Sequence, residues 1–178
     1  SSNVTISKRK NDIVKFRIAT IDNDNPSQKV FSHFRAFINS FTDNMSAQWN
    51  DFKYIGRGEN FYNYQGFNNN ISMGFTVAAQ SIQELSIMYQ KLNYLKSTLA
   101  PDYSQQGYMR GNIHQLTLGG YFYETPGIIT SLSYTIPNDT TWEIGIPANS
   151  KEITSEGGIS YRDPDVKELP HRIEVSME

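Results

Sequence analysis

YIGRGENFYNYQGF, residues Tyr54 to Phe67, sets five aromatic rings and three glycines into fourteen positions. Its flanks, Met45 to Tyr54 and Ile71 to Ala78, alternate apolar and polar residues and are rich in aromatic and β-branched side chains. That period of two marks strands with one face buried. If these two strands pair antiparallel, the aromatic stretch is a long connection projecting beyond a sheet, and the fold is mainly β. Two readings of its rings stay open. Tyr54, Phe61, Tyr62, Tyr64 and Phe67 can fold back as a local cap over the core. Alternatively, flanked by Arg57 and several asparagines, they can anchor a contact with a neighbouring chain, because rigid aromatics suit interfaces.

Working outward, the same alternation predicts strands at Ile13 to Ala19, Phe31 to Asn39, Asn112 to Tyr123, Ile128 to Ile136, Trp142 to Ile146 and Arg172 to Met177. The turn signals YETPGI (Tyr123 to Ile128) and IPND (Ile136 to Asp139) make the three late strands a consecutive meander. No repeat at solenoid periods interrupts this pattern.

One segment departs from it. In SIQELSIMYQKLNYLKSTLAP (Ser81 to Pro101), Leu85, Met88, Leu92, Leu95 and Leu99 recur at steps of three and four, which gathers them on one helical face. Ser81 as N-cap with Glu84 three residues on forms a capping box, and Pro101 closes the segment. The stripe has coiled-coil spacing but lasts under three heptads and has no partner helix, so it is expected to lie across a sheet as core. The resulting expectation is a mainly β (α+β) fold: a two-sheet β-sandwich or partly closed barrel with one flanking amphipathic helix at about 81–100.

The bulk properties narrow function by exclusion. A chain of 178 residues suits one domain, 1–178, able to bury a core without disulfides or a structural metal. The N-terminal ten residues and the loop at 147–168, which lacks core periodicity, are expected to be flexible or to serve as interface arms. A net charge of -2 lacks the basic excess that nucleic-acid or anionic-membrane binding uses. The absence of cysteine removes disulfides, thiolate metal sites and a cysteine nucleophile together. No apolar run approaches the ~20 residues of a membrane span and no signal-peptide core is present, which reads as a soluble chain. The strand at IEVSME stops without an ending, as in a truncated chain. Four Asn-x-Ser/Thr sequons, at Asn3, Asn44, Asn70 and Asn138, occur without a secretion signal and read as products of an Asn-rich composition.

Candidate chemistry is sparse. His33, His114 and His171 are far apart, and none is spaced with a second ligand type. DNDNPS (Asp22 to Ser27) begins like a calcium loop but lacks its glycine and terminal glutamate, so a turn with side-chain-to-backbone bonds is expected. GRGEN (Gly56 to Asn60) lacks the Lys-Ser/Thr and following helix of a phosphate loop. No glycine-flanked serine elbow appears, and the carboxylates are too scattered to nominate an acid/base pair. The expectation is no catalytic residue, no metal and no cofactor.

The order of FRAFINSFTDNMSAQW, YIGRGENFYNYQGFNNNISMGFTVAAQS, LSIMYQKLNYLKSTLAP, LTLGGYFYETPGIITSLSYTI and TWEIG resembles baseplate and tail-tube-like proteins of contractile-tailed bacteriophages. The resemblance spans about Phe31 to Met177 and rests on ordered segments, not on a catalytic signature. It implies a tail-tube fold whose subunits self-associate into rings, six to a ring. These stack on adjacent tail-tube or baseplate proteins around a channel that passes DNA or a tape-measure protein. On that implication the protein is a non-enzymatic virion component assembled in the host cytoplasm. Tyr54 to Phe67, Arg57 included, would be an inter-subunit arm, and the polar runs NNNISMG and SLSYT would face the lumen. The alternative from another class is a β-sandwich that presents Tyr54 to Phe67 and the Ser104 to Arg110 loop to a receptor or glycan.

Overall fold

Ten strands and one helix form in the computed structural model, which describes residues 14–144 and 168–178. In chain order they are β1 (Phe16–Ile21), β2 (Lys29–His33), β3 (Ala36–Phe52), β4 (Phe61–Ala78), α1 (Ile82–Ser97), β5 (Asp102–Tyr103), β6 (Met109–Arg110), β7 (His114–Leu118), β8 (Phe122–Gly127), β9 (Leu132–Thr135) and β10 (Arg172–Met177). The fold is mainly β with antiparallel sheets. Each sheet is open, so none closes into a barrel. The chain divides into two units, Ser1–Ala36 with Ala79–Ile129 and Phe37–Ala78 with Thr130–Glu178.

The first unit holds a sheet of order β2-β1-β7-β8, together with α1 and the small β5-β6 hairpin. Register puts Thr20 opposite both Val30 and His114, and Ile18 opposite both Ser32 and Leu116, so these residues share one face. Ile18, Thr20, Ser32 and His114 are buried on it, and Phe16 meets Phe34 with ring centroids 5.8 Å apart. Phe34 and Arg35 interrupt the single strand expected over Phe31 to Asn39: the Phe34 N–H still donates to Phe16 O, the next step of the β1–β2 register, and the strand breaks after it.

The helix forms where its caps and stripe place it. Ser81 Oγ accepts from Glu84 N at 3.2 Å, while the Glu84 carboxylate reaches back to Gln80 N at 3.0 Å, one residue before the usual partner. Leu85, Met88, Leu92 and Leu95 are buried. Leu99 corrects the stripe: the helix ends at Ser97 with Thr98 as C-cap, and Leu99 lies beyond it, exposed. The ending is set by Thr98, whose hydroxyl donates to Leu95 O and whose N–H turns back to Tyr94 O, before Pro101 could act. Lys91 Nζ donates to His33 O, a tie between helix and β2.

His114 fixes its own tautomer. The single Thr98 hydroxyl proton goes to Leu95 O, so His114 Nε2, 2.8 Å from that oxygen, must donate to it, leaving Nδ1 as a bare acceptor. Among the described residues Nδ1 is buried and without a partner, and burial lowers the imidazole pKa from its ordinary 6.5. A base depressed in the fold binds more protons when unfolded, so its stabilising contribution is complete above about pH 6.5. That contribution is lost as pH falls toward the lowered folded value. Urea denaturation from about pH 7.5 down to about 5 is therefore expected to show wild type losing more stability than His114→Gln. Parallel slopes would remove His114 from the acid response.

The β7–β8 hairpin turns at Gly119 to Tyr121, not at Tyr123 to Ile128 as the proline suggests. Pro126 instead lies inside β8, opposite Gln115, which an edge strand tolerates because one side of its ladder is free. Gly119 has φ +54, its N–H donates to Lys15 O, and an added Cβ would sit 2.8 Å from Val14 Cγ1. Gly119→Ala is expected to cost ~1–2 kcal/mol from the left-handed backbone alone, with the clash adding to it. A midpoint unchanged in chemical denaturation would contradict this.

The second unit holds a sheet of order β3-β4-β10-β9. Register places Met177 opposite Met73 and Leu132, and Val175 opposite Phe75 and Tyr134. Ile173 lies opposite Val77. Met73, Phe75, Val77, Ile173, Val175 and Met177 are buried and form this unit's core. The expected three-strand meander is thus corrected. Its second member shortens to β9, leaves β8, and pairs with β10, with Glu178 O accepting from Thr130 N at 2.8 Å. Of Trp142 to Ile146 only a bridge, Trp142 to Pro170, is described. Residues 145 and 146, the N-terminal ten residues and nearly all of loop 147–168 lie outside the described residues.

Candidate functional site: a projecting aromatic ribbon

The 17 residues of β3 and 18 of β4 are each far longer than the mean strand of about five or six. At ~3.3 Å per residue they run on the order of 55 Å. They are antiparallel, as matched contacts show: Asn39 Nδ2 donates to Thr76 Oγ1 at 2.7 Å, Trp49 meets Tyr64 at 4.9 Å, and Phe52 meets Phe61 at 5.8 Å. Partner numbers fall as strand numbers rise. The third strand, β10, covers β4 only from Met73 to Ala78. Among the described residues, β4 from Phe61 to Ser72 therefore has β3 alone beside it in the sheet, and β3 is the edge.

This two-stranded stretch exceeds what the sequence suggests. Strand β4 starts at Phe61, ten residues before the expected Ile71, so Phe61, Tyr62, Tyr64 and Phe67 are strand residues and the connection shrinks to Lys53 to Asn60. The Asn68–Asn70 tract hides the strand, because asparagine is a poor strand former and the pairing that overrides it is not local. At the tip, Arg57 N donates to Tyr54 O and Gly56 takes φ +85, closing the turn. Phe52, Tyr54 and Phe61 gather there, with centroids 5.3 to 5.8 Å apart.

The rings of the ribbon lie at the surface of the chain. None of Tyr54, Phe61, Tyr62, Tyr64 and Phe67 is buried, and Tyr62 and Phe67 remain 65% and 63% exposed. Phe37, Met45, Trp49 and Ile55 are exposed on the same ribbon. These exposed rings and aliphatic side chains are distributed over both faces of the ribbon, since Tyr64 and Phe67 are an odd number of strand positions apart. Alternate residues of β3 present something different: Ser40, Thr42, Asn44, Ser46, Gln48 and Asn50 form an uncharged, exposed, hydrogen-bonding row.

The other residues singled out from the sequence do not assemble into a reactive site. Asp22 Oδ1 accepts from Asp24 N at 2.9 Å, the turn expected for DNDNPS. His33 is in β2, His114 is buried in β7, and His171 lies with Thr141 and Glu143. Among the described residues no cluster of three or more His, Asp or Glu side chains is placed to hold a metal. Likewise no helix among them is long and apolar enough to cross a membrane.

No protein-family model matches the chain, and no curated protein matches it. Among solved structures, a chain of the six-fold-symmetrised cryo-EM structure of the anti-feeding prophage baseplate is similar over 93% of this chain and 90% of that one. The two share 9% identity at a TM-score of 0.27, a level that fixes neither fold nor role.

Proposed function

We propose that this protein is a structural component of a bacteriophage-type tail tube or baseplate, and that it self-associates through the β3–β4 ribbon. The observation that carries the reading is the ribbon itself. A two-stranded sheet is marginal alone in water, and this one is long, exposed on both faces and studded with unburied aromatics. An exposed, extended edge such as β3 invites pairing with another chain. The ordered sequence segments that resemble tail-tube-like proteins support the same role. In its fuller form the proposal is a closed, six-membered ring stacked on neighbouring tail proteins, with the Ser40-to-Asn50 polar row lining a channel for DNA or a tape-measure protein. Such a role uses no catalytic residue, metal or cofactor.

Sedimentation over a range of concentrations, with negative-stain microscopy, tests it. Rings or tubes are expected. A strictly monomeric chain at high concentration would overturn self-association and favour the receptor-binding alternative, for which the exposed Tyr103, Tyr108 and Met109 of the β5-β6 hairpin are the second aromatic surface.

A further inference from the structure

The sheet of the first unit has two edges, β2 and β8, and they are built differently. In an antiparallel ladder the backbone groups of successive residues turn to alternate sides, so pairing on one side settles what the other side shows. Ile21 N donates to Ile113 O and Gly119 N to Lys15 O. By that alternation Ile113, Gln115, Thr117 and Gly119 turn their backbone groups to β1, and His114, Leu116 and Leu118 turn theirs to β8. Pro126 stands opposite Gln115, so its nitrogen faces away from β7, at the edge of the sheet. A proline there has no N–H to offer a further strand. On β2 the same accounting, from Phe34 N to Phe16 O and Asp22 N to Gln28 O, turns Lys29, Phe31 and His33 outward with their N–H groups in place.

Just before Pro126, β8 also leaves regular geometry. Leu116 pairs with Thr125 and Leu118 with Phe122, so Tyr123 and Glu124 stand opposite Thr117 alone, a bulge. Glu124 takes φ +48, and among the described residues no other non-glycine residue has a positive φ. Its N–H is turned in to donate to Thr117 Oγ1 at 3.2 Å. Its carboxylate reaches across the sheet: Oε1 accepts from Arg17 Nη2 on β1 at 2.7 Å, and Oε2 from Lys29 Nζ on β2 at 3.2 Å. Arg17 in turn donates from Nε to the Thr117 hydroxyl at 3.4 Å, with its guanidinium carbon 4.8 Å from the centre of the Phe31 ring. One residue of the edge strand is thus tied to all three other strands of the sheet. An unfavourable backbone conformation persists only where its surroundings over-determine it, as these bonds do.

We infer that β8 is a guarded edge: the pinned bulge at Glu124 and the missing donor at Pro126 stop the sheet of the first unit from growing by addition of another strand on that side. Bulges and edge prolines are means by which natural sheets blunt an edge that would otherwise template pairing. The long β3 strand, in the other unit, carries no proline, no lysine or arginine and no residue at positive φ. The guard does not depend on the reading of the ribbon.

The test removes both devices from the full chain. In Thr117→Val with Pro126→Thr, the acceptor that holds the Glu124 N–H is gone and an edge-facing N–H is restored. Growth of thioflavin-positive, sedimenting material is followed below the melting transition. The double variant is expected to form it at least about tenfold faster than wild type, with Pro126→Thr alone in between. The chain contains no cysteine, so Ile128→Cys, at an exposed position beside β8, takes a single nitroxide label. Spin–spin broadening between copies is expected at that label once the guard is removed. Gly119→Ala, which destabilises the same hairpin without altering the edge, is expected to stay near the wild-type rate. If circular dichroism shows the double variant unfolded, Pro126→Thr alone decides. Guard-removed chains as slow as wild type, a Gly119→Ala chain as fast as they are, or sedimented material without broadening at position 128 would each overturn the guard.

Discussion

Serine substituted together for Ile55, Tyr62 and Phe67 is expected to weaken self-association by at least about a hundredfold while leaving the folded subunit intact. All three are strongly exposed, at 106%, 65% and 63%, so the fold loses no core when they are removed. They are better probes than Phe61 or Tyr64, whose rings hold the ribbon together against Phe52 and Trp49. Aromatic anchors at the centre of an interface commonly carry about 2 kcal/mol or more each, and about 1.4 kcal/mol is tenfold in affinity. Arg57→Ala should matter less, unless its charge is desolvated against a carboxylate of the neighbour. Sedimentation of wild type and variant across concentration, with circular dichroism on both, reads the outcome. A variant that assembles like wild type would dismiss the ribbon as an interface; one that unfolds would show that the exposed rings stabilise the subunit itself.

The second large effect is in the core. Leu92→Ala is expected to destabilise the chain by ~2–5 kcal/mol, because a 1% exposed leucine loses its burial and leaves a cavity that its surroundings close only in part. Lys91→Ala, next to it, removes only the Lys91 Nζ to His33 O bond at the surface and should cost no more than about 1 kcal/mol. The contrast between adjacent residues is the test. Chemical denaturation giving equal, small losses would mean that the buried stripe contributes no packing energy.

The helix was legible residue by residue because everything that defines it acts within four positions. Ser81 and Glu84 satisfy the first free N–H groups, and the stripe from Leu85 to Leu95 repeats with the helical period. Strand β10 was equally legible, with the expected bounds Arg172 to Met177, since alternation alone marks it. Leu99 was misplaced because the Thr98 cap ended the helix before the apolar spacing did. The aromatic content of the ribbon could be read from its residues, but not its length: the asparagine tract argues against a strand until β3 is paired with it.

Sequence by itself determined that the chain is mainly strand, which one segment becomes a helix, and that no familiar catalytic or metal-binding motif is present. These follow from local periodicity, capping and composition. Only the tertiary structure decided that β9 leaves β8 for β10, that Asn23 and Asn112, 89 positions apart, are joined by a hydrogen bond, and that burial in β4 is confined to its end, from Met73 through Val77. The physical reason is that alternation tells a strand which of its faces is apolar but not which neighbour completes its ladder. That choice is made by backbone hydrogen bonds and burial between residues far apart in the chain, which no short window of sequence contains.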